Sequence, residues 1–139
     1  MDWQFEPSME AMSDEEIKER IRRAYEYEIP AKIRPIPYIG DKREVVTYSS
    51  EELVARCPVT GLPDFYKIAI EFVPDETIPE LKSLKYYLLG YLDLPISHEH
   101  LVSKVYRDLE AAVQPSRLRI TLDVAVRGGI TTRVVLGEL

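Results

Sequence analysis

The stretch FYKIAIEFVP, residues 65–74, decides how this chain must fold. Its large apolar side chains occur at every second position, and they are Tyr66, Ile68, Ile70 and Phe72. The positions between them carry Lys67, Ala69 and Glu71. A period of two predicts a β-strand that is buried on one face and ends at Pro74. Such a strand needs further strands beside it and a second layer over its apolar face.

A second alternating segment, RLRITLDVAV at residues 117–126, predicts a partner strand. Its apolar face comprises Leu118, Ile120, Leu122, Val124 and Val126. The RGG at 127–129 predicts a turn into a last strand over residues 130–139. Upstream, EVVTYSS at residues 44–50 predicts another strand, so the segment around Cys57 is the connection into residues 65–74.

Two helical patterns separate the strand pairs. In residues 79–93 leucines recur at steps of three and four (Leu81, Leu84, Leu88, Leu92), and Pro79 suits a helix start. In residues 97–113 Ser97 is a good N-cap, and the apolar stripe comprises Leu101, Val102, Val105, Leu109 and Val113. The order strand, strand, helix, helix, strand, strand predicts an α+β fold, an antiparallel four-stranded sheet with both helices on one face. Its two open edges favour oligomerisation.

Residues 1–42 are predicted to be an N-terminal helix and a proline-rich connector, preceding a catalytic domain over residues 43–139. A capping box of Ser13 and Glu16 starts the helix, which extends to about Tyr27. Prolines at positions 30, 35 and 37 then exclude regular helix and predict an extended connector.

The composition narrows the class of protein. The chain has 139 residues, of which 45% are hydrophobic and 30% charged, as in a soluble globular domain. It contains no membrane-length apolar run and no signal-peptide pattern, so we expect a cytoplasmic protein. A net charge of -6 argues against general binding to nucleic acid. The absence of Asn, with ten Pro, resembles a thermophile composition.

Cys57, in RCPVTGLPDFY at residues 56–66, is the only cysteine, which excludes an intrachain disulfide. It could be a nucleophile, a metal ligand or a packed core residue. Its Gly, Pro and polar neighbours are typical of a loop, and Arg56 would favour the thiolate if the two side chains converge. We expect no metal site, because His98 and His100 are two residues apart and lie on different helix faces.

Other charged residues have two interpretations each. Glu99 lies in a first helical turn, where it either complements the helix dipole or accepts hydrogen bonds from a guanine-like edge. Lys82 and Lys85 form either a solvated helix face or a phosphate site. No GxGxxG follows a strand, so a Rossmann nucleotide site is not supported.

Four motifs occur together in an order that resembles one family. CPVTGLPDFY, ELKSLKYY, SHEH and VRGGI follow one another as in the QueF-type 7-cyano-7-deazaguanine reductases, the nitrile reductases of queuosine biosynthesis. The resemblance covers about residues 45–132. It implies the tunnelling fold, whose unit is two strands, two helices and two strands, assembled into a ring that is a pentamer or a pair of stacked pentamers.

The resemblance also implies roles for individual residues. Cys57 would be the nucleophile that forms a thioimide with the nitrile, and Asp64 the general acid. The deazapurine substrate would contact Pro79, Glu80, Leu81, His98 and Glu99. NADPH would lie between subunits and contact Lys82, Ser83, Lys85, Arg127 and Gly128.

Two other functions remain open. A related archaeosine-forming branch adds ammonia to the same nitrile base within transfer RNA and uses no NADPH. That branch resembles this chain at the Cys and Asp but lacks the Glu-Leu-Lys-Ser-Leu-Lys signature, which is complete here. The second is a non-catalytic binding protein of the same fold, which the presence of Cys57, Asp64 and Glu99 disfavours.

Overall fold

The structure of the protein is a computed structural model that describes residues 12–139. Its helices are α1 (Asp14–Glu26), α2 (Leu81–Leu89) and α3 (His98–Val113). Its strands are β1 (Pro35–Pro37), β2 (Val46–Arg56), β3 (Pro63–Val73), β4 (Thr77–Pro79), β5 (Arg117–Arg127) and β6 (Ile130–Glu138). No helix within residues 12–139 is long and apolar enough to span a membrane.

The main sheet is four-stranded and antiparallel, in the order β2-β3-β5-β6. Its inner face is buried beneath the helices. On β3 this face is formed by the alternating residues Tyr66, Ile68, Ile70 and Phe72, each at most 3% exposed. The predicted apolar stripe of α3 is buried at all five positions. These observations confirm the predicted α+β architecture and place the core between the sheet and the helices.

A small second sheet joins the connector, which was predicted to be extended, to the segment before α2. β1 pairs with β4, with Pro35 opposite Pro79 and Pro37 opposite Thr77. Proline is tolerated in such a pair because each strand is an edge. Ile29 and Ile33, also from the connector, are buried in the common core. The division of the chain at residue 42 stays a prediction, and the described part before it packs against the part after it.

β2 is longer than predicted, reaching Arg56 instead of ending at Ser50. The polar run SSEE interrupted the alternation and concealed the second half of the strand. A register shift between Ser50 and Leu53 accounts for the pattern, because one extra residue returns Leu53 to the core. The consequence is that β2 delivers the chain directly to Cys57.

The start and the buried face of α2 differ from the prediction. Pro79 belongs to β4, Glu80 is the N-cap, and the helix ends at Leu89. Leu81 is 57% exposed, although the leucine spacing placed it in the core. The buried side chains are Leu84 and Tyr87 of α2 and Tyr91 beyond its end, and Leu88 packs against them. Leu81 and Tyr87 both satisfy helical periodicity, but Leu81 lies at the groove beside β2, whereas the Tyr87 hydroxyl donates to Asp108 of α3.

The β5–β6 hairpin closes at the predicted RGG turn. Gly128 and Gly129 have φ values of 58° and 78°. Two consecutive left-handed residues make the turn that suits the twist of a two-residue hairpin. The alternation on β5 does not reach Val126, which is 60% exposed, because the register shifts between Val124 and Arg127.

Candidate active site

Cys57 lies at the closed end of the β2–β3 hairpin. Its backbone N–H donates to the Leu62 carbonyl at 2.9 Å, and the Gly61 N–H donates to the Cys57 carbonyl at the same distance. Gly61 has φ of 74°, which glycine adopts without strain. The turn therefore fixes the Cys57 backbone just beyond the rigid strand pair.

The sulfur is half-buried and has a donor directed at it. The Thr60 N–H lies 3.5 Å from Cys57 Sγ. A donor in this position stabilises a thiolate more than a neutral thiol. The Arg56 guanidinium donates instead to the Gly61 carbonyl at 3.0 Å and pairs with Asp93 at 3.3 Å. Arg56 thus braces the turn that carries Cys57.

Asp64 is a buried carboxylate with a cationic partner. It is 3% exposed and lies opposite Ala55 in the β2–β3 register. Arg127 Nε, from the end of β5, is 3.0 Å from Asp64 Oδ1, and the same guanidinium donates to the Pro63 carbonyl. The resemblance assigned Arg127 to the cofactor, whereas in this structure its guanidinium contacts the predicted catalytic acid.

Backbone hydrogen bonds hold the start of α3 beside this end of the sheet. The Arg56 N–H donates to the Leu94 carbonyl at 3.0 Å, and the Ile96 N–H donates to the Arg56 carbonyl at 3.1 Å. Arg56 and Pro95 form a parallel bridge. Because α3 begins at His98, these bonds bring His98 and Glu99 to the Cys57 end of β2.

Tyr66 joins these groups. Its hydroxyl lies 2.9 Å from His98 Nδ1, and the two rings meet edge-on with centroids 5.5 Å apart. Burial raises the pKa of the Tyr66 hydroxyl well above its usual range. Negative charges nearby raise that pKa further, in the order Asp64, Cys57 and Glu99. The charges of three predicted site residues therefore act on this one buried hydroxyl.

Sequence reasoning treated Tyr66 only as a core residue. Its position was informative nonetheless, because it lies two residues after Asp64 on the same face of β3. The hydrogen bonds that Thr60 and Arg56 make in the turn depend on its geometry, which the sequence motif alone does not reveal.

The two histidines have different partners. His98 contacts Tyr66, while His100 Nδ1 lies 2.6 Å from the Ser97 hydroxyl and its ring contacts Tyr25 of α1. Ser97 is the N-cap by position, but its hydroxyl makes no capping bond. Residues 12–139 contain no group of three His, Cys, Asp or Glu side chains that could hold a metal ion.

Comparison with known proteins identifies the family. Residues 63–138 match the family described as QueF-like protein. The chain belongs to this family. A relative from Thermoanaerobacter pseudethanolicus, named NADPH-dependent 7-cyano-7-deazaguanine reductase, is 37% identical over 121 residues, covering 87% of this chain and 84% of the relative. A reductase of the same name from Caldicellulosiruptor bescii is 41% identical over 104 residues, covering 74% of this chain and 79% of the relative.

A solved structure supports the fold of this QueF-like chain. The apo form of an archaeosine synthase named QueF-Like superposes with a TM-score of 0.63, covering 68% of this chain and 92% of that one. The two chains share 21% sequence identity. At that level the likeness establishes a common fold.

The signature ELKSLKYY contributes structural contacts as well as candidate ligands. The Glu80 carboxylate caps α2 by accepting from the Lys82 and Ser83 N–H groups at 2.6 and 2.9 Å. The Ser83 hydroxyl donates to the Glu80 carbonyl at 2.7 Å and accepts from the Arg34 N–H at 2.9 Å. Two of the predicted ligand residues thus hold the start of α2 against the connector.

The lysines of the signature are available to a ligand. Lys82 and Lys85 are exposed, and neither has an acidic partner among the described residues. Lys85 lies at an apolar groove of about 140 Å³ between α2 and the edge strand β2. The groove is also lined by Tyr48, Ser49, Ser50, Glu52, Leu53, Ile68, Ile70, Leu81, Leu84, Leu88 and Leu89.

This groove and Cys57 lie at different places along β2. The part of β2 that lines the groove reaches Leu53, and Cys57 follows four residues later. At about 3.3 Å per strand residue, Cys57 lies roughly 13 Å beyond the near end of the groove. The predicted cofactor residues therefore form two groups, with Arg127 and Gly128 at the Cys57 end and Lys82, Ser83 and Lys85 at α2.

Proposed function

We propose that the chain reduces the nitrile of 7-cyano-7-deazaguanine to the aminomethyl group, with NADPH as reductant, in the queuosine modification pathway. The observation that supports this proposal most strongly is that Cys57, Asp64 and His98 lie at the same end of the sheet. Membership of the QueF-like family and relatives named NADPH-dependent 7-cyano-7-deazaguanine reductase support the same reaction.

Cys57 and Asp64 carry the first step. The Cys57 thiolate, stabilised by the Thr60 N–H, adds to the nitrile carbon and forms a C–S bond. Asp64 gives its proton to the nitrile nitrogen, so the product is a neutral thioimide. The carboxylate that remains is then paired with the Arg127 guanidinium, the arrangement present in the structure. The ion pair therefore stabilises the deprotonated side of this proton transfer.

The substrate base is recognised at the start of α3. The Glu99 carboxylate is exposed in the isolated chain and accepts hydrogen bonds from the guanine-like N–H edge, with His98 beside it. Pro79, Glu80 and Leu81 complete the predicted substrate set. They lie at the start of α2, away from Cys57, so a neighbouring copy supplies them.

Lys82 and Lys85 fit a dinucleotide phosphate, because both are exposed cations beside an apolar groove. When bound, NADPH supplies two successive hydrides, and two protons are taken up as the nitrile becomes an amine. The separation of the lysines from Cys57 means that a complete site combines two chains. A ring, as a pentamer or a decamer, would also pair the open edges of β2 and β6. We place this assembly in the cytoplasm.

The decisive experiment supplies the free nitrile base and NADPH and follows the absorbance of the reduced nicotinamide. We expect oxidation of two NADPH per base. In the absence of NADPH, mass spectrometry should show one substrate mass added per chain. Cys57→Ala should abolish both signals, because no other thiol exists in the chain. Val59→Ala, a change in the same turn, is the matched control and should keep both.

The alternative function gives the opposite pattern. An archaeosine-type enzyme would oxidise no NADPH and would convert nitrile-bearing transfer RNA to the amidine in the presence of ammonia. An adduct that survives in Cys57→Ala would show that the nucleophile is another residue. If the protein shows neither activity and forms no adduct, the result supports the non-catalytic binding function.

A further inference from the structure

Tyr66 and His98 form the least explained contact of the site. Both belong to the half of the molecule that contains Cys57, yet the chemistry described above assigns no role to the tyrosine. Its hydroxyl is buried with the ring, which is 3% exposed. Among the described residues its hydroxyl has one hydrogen-bond partner, His98 Nδ1 at 2.9 Å. A buried polar group with a single partner constrains that partner strongly.

The surroundings keep the hydroxyl protonated. Asp64, Cys57 and Glu99 place negative charge near it, and the opposing positive charge comes from Arg127. A phenolate here would be both desolvated and repelled. A neutral phenol is a good donor, and neutral imidazole offers one acceptor nitrogen and one N–H. A hydroxyl that donates to Nδ1 would leave the imidazole proton on Nε2.

We propose that Tyr66 is a positioning residue that fixes His98 as the Nε2–H tautomer and sets the angle of its ring. The catalytic role of this tautomer rests on the proposed function, whereas the tautomer itself can be tested without it. His98 would then present a single free polar atom to the base, a donor N–H. A donor matches the ring carbonyl oxygen of a deazaguanine, which accepts hydrogen bonds.

The edge-on ring contact strengthens the restraint. The His98 and Tyr66 rings lie at 78° with centroids 5.5 Å apart, so rotation of the imidazole would lose both the ring packing and the hydrogen bond. The backbone of His98 is also held, because the preceding segment is bonded to Arg56. The side chain and backbone of His98 are therefore fixed from two different strands, β3 and β2.

The first test is spectroscopic. The chain has two histidines, so ¹⁵N labelling of histidine gives two sets of ring signals, and His100→Gln assigns them. We expect His98 in the unmutated protein to carry its proton on Nε2. In Tyr66→Phe, which keeps the ring and removes the hydroxyl, we expect a mixture of tautomers. A proton on Nδ1 in the unmutated protein would overturn the proposal without any variant.

The second test is kinetic. Tyr66→Phe should slow adduct formation about ten-fold, the effect of one lost hydrogen bond at a partly buried site. An unchanged rate of adduct formation would contradict the proposal.

A matched variant separates this role from general destabilisation. Tyr91 is also fully buried, and its hydroxyl lies 2.7 Å from that of Tyr87. Tyr91→Phe should lower the melting temperature but leave the His98 tautomer and the rate of adduct formation unchanged. The tautomer measurement needs no turnover. If the unmutated protein oxidises no NADPH, the proposed function fails while the assignment of Tyr66 is still decided.

Discussion

Arg127 has two candidate roles in the site, as a cofactor ligand and as the partner of Asp64. The family resemblance assigns it to the cofactor, and the structure places its Nε 3.0 Å from the buried Asp64 carboxylate. The two roles predict different kinetics. A cofactor ligand affects only steps that need NADPH, whereas a partner of Asp64 also affects adduct formation, which precedes any hydride transfer.

We predict that Arg127→Gln slows adduct formation in the absence of NADPH by ten-fold or more. The reason is that the Asp64 carboxylate left after proton transfer loses a charge-assisted partner, a contribution of about 1.5 to 3 kcal/mol. Lys85→Ala is the control. It should leave the adduct rate unchanged and weaken NADPH binding by roughly ten- to a hundred-fold. Stopped-flow absorbance measures the adduct, and a normal adduct rate in Arg127→Gln would restrict this arginine to the cofactor.

At the scale of one element, α2 depends on the same signature residues that are expected to bind ligands. Its first turn has no acidic residue within the helix, and the Glu80 side chain accepts two of its free N–H groups. Capping of this kind contributes about 1 kcal/mol. The groove beside Lys85 exists only if α2 holds its position on β2.

Glu80→Ala should therefore lower the free energy of unfolding by about 1 kcal/mol, as measured by urea denaturation. Glu80→Gln keeps an acceptor oxygen and should recover most of that stability. If Glu80 also binds the base, the Gln variant will be stable yet still bind substrate weakly. Equal stability of the Ala variant and the unmutated protein would mean that the cap contributes nothing.

At the scale of the whole molecule, the two groups of site residues lie at separate places on one chain, with Cys57 roughly 13 Å beyond the near end of the groove at α2, by the strand spacing. A site shared between copies predicts complementation. Cys57→Ala and Lys85→Ala homo-oligomers should each be inactive or nearly so. When both are co-expressed, about a quarter of the interfaces will combine an intact Cys57 with an intact Lys85. We expect NADPH oxidation to recover to about that fraction.

Light scattering supplies the companion measurement, since a shared site requires an oligomer. A stable monomer at micromolar concentration that retains full activity would contradict the assembly. Recovery of no activity in verified mixed oligomers would place the lysines and Cys57 in the same chain's site.

Much of the fold follows from local pattern. The alternation in residues 65–74, the capping box of Ser13 with Glu16 and the RGG turn were all predicted from neighbouring residues, and the structure confirms each of them. These features depend on backbone geometry and on a period of two or 3.6 residues, which a sequence displays directly. Sequence motifs also identified the family and marked Cys57 and Asp64 as candidate site residues.

Where local pattern was ambiguous, the prediction was wrong. Leu81 and Tyr87 both suit a helix face, and the packing of Tyr87 toward α3, where its hydroxyl donates to Asp108, placed Tyr87 in the core and left Leu81 exposed. The bulge after Ser50 hid half of β2, because one extra residue reverses the alternation that reveals a strand. Lys104, a charged residue within α3, is 1% exposed because α1 and the connector cover it, and this burial lowers its pKa.

Local sequence pattern was sufficient for the order of the three helices and the four strands of the main sheet, the capping box of α1, the RGG turn and the presence of a lone thiol near a carboxylate. Which side chains meet depends on the tertiary structure. Tyr66 and His98 are 32 residues apart, and Arg127, on a strand that follows α2 and α3, pairs with Asp64 on a strand that precedes them. Their contacts depend on strand register and on the backbone bonds that hold α3 to Arg56. Such contacts are set by packing over the whole domain, so no stretch of neighbouring residues encodes them.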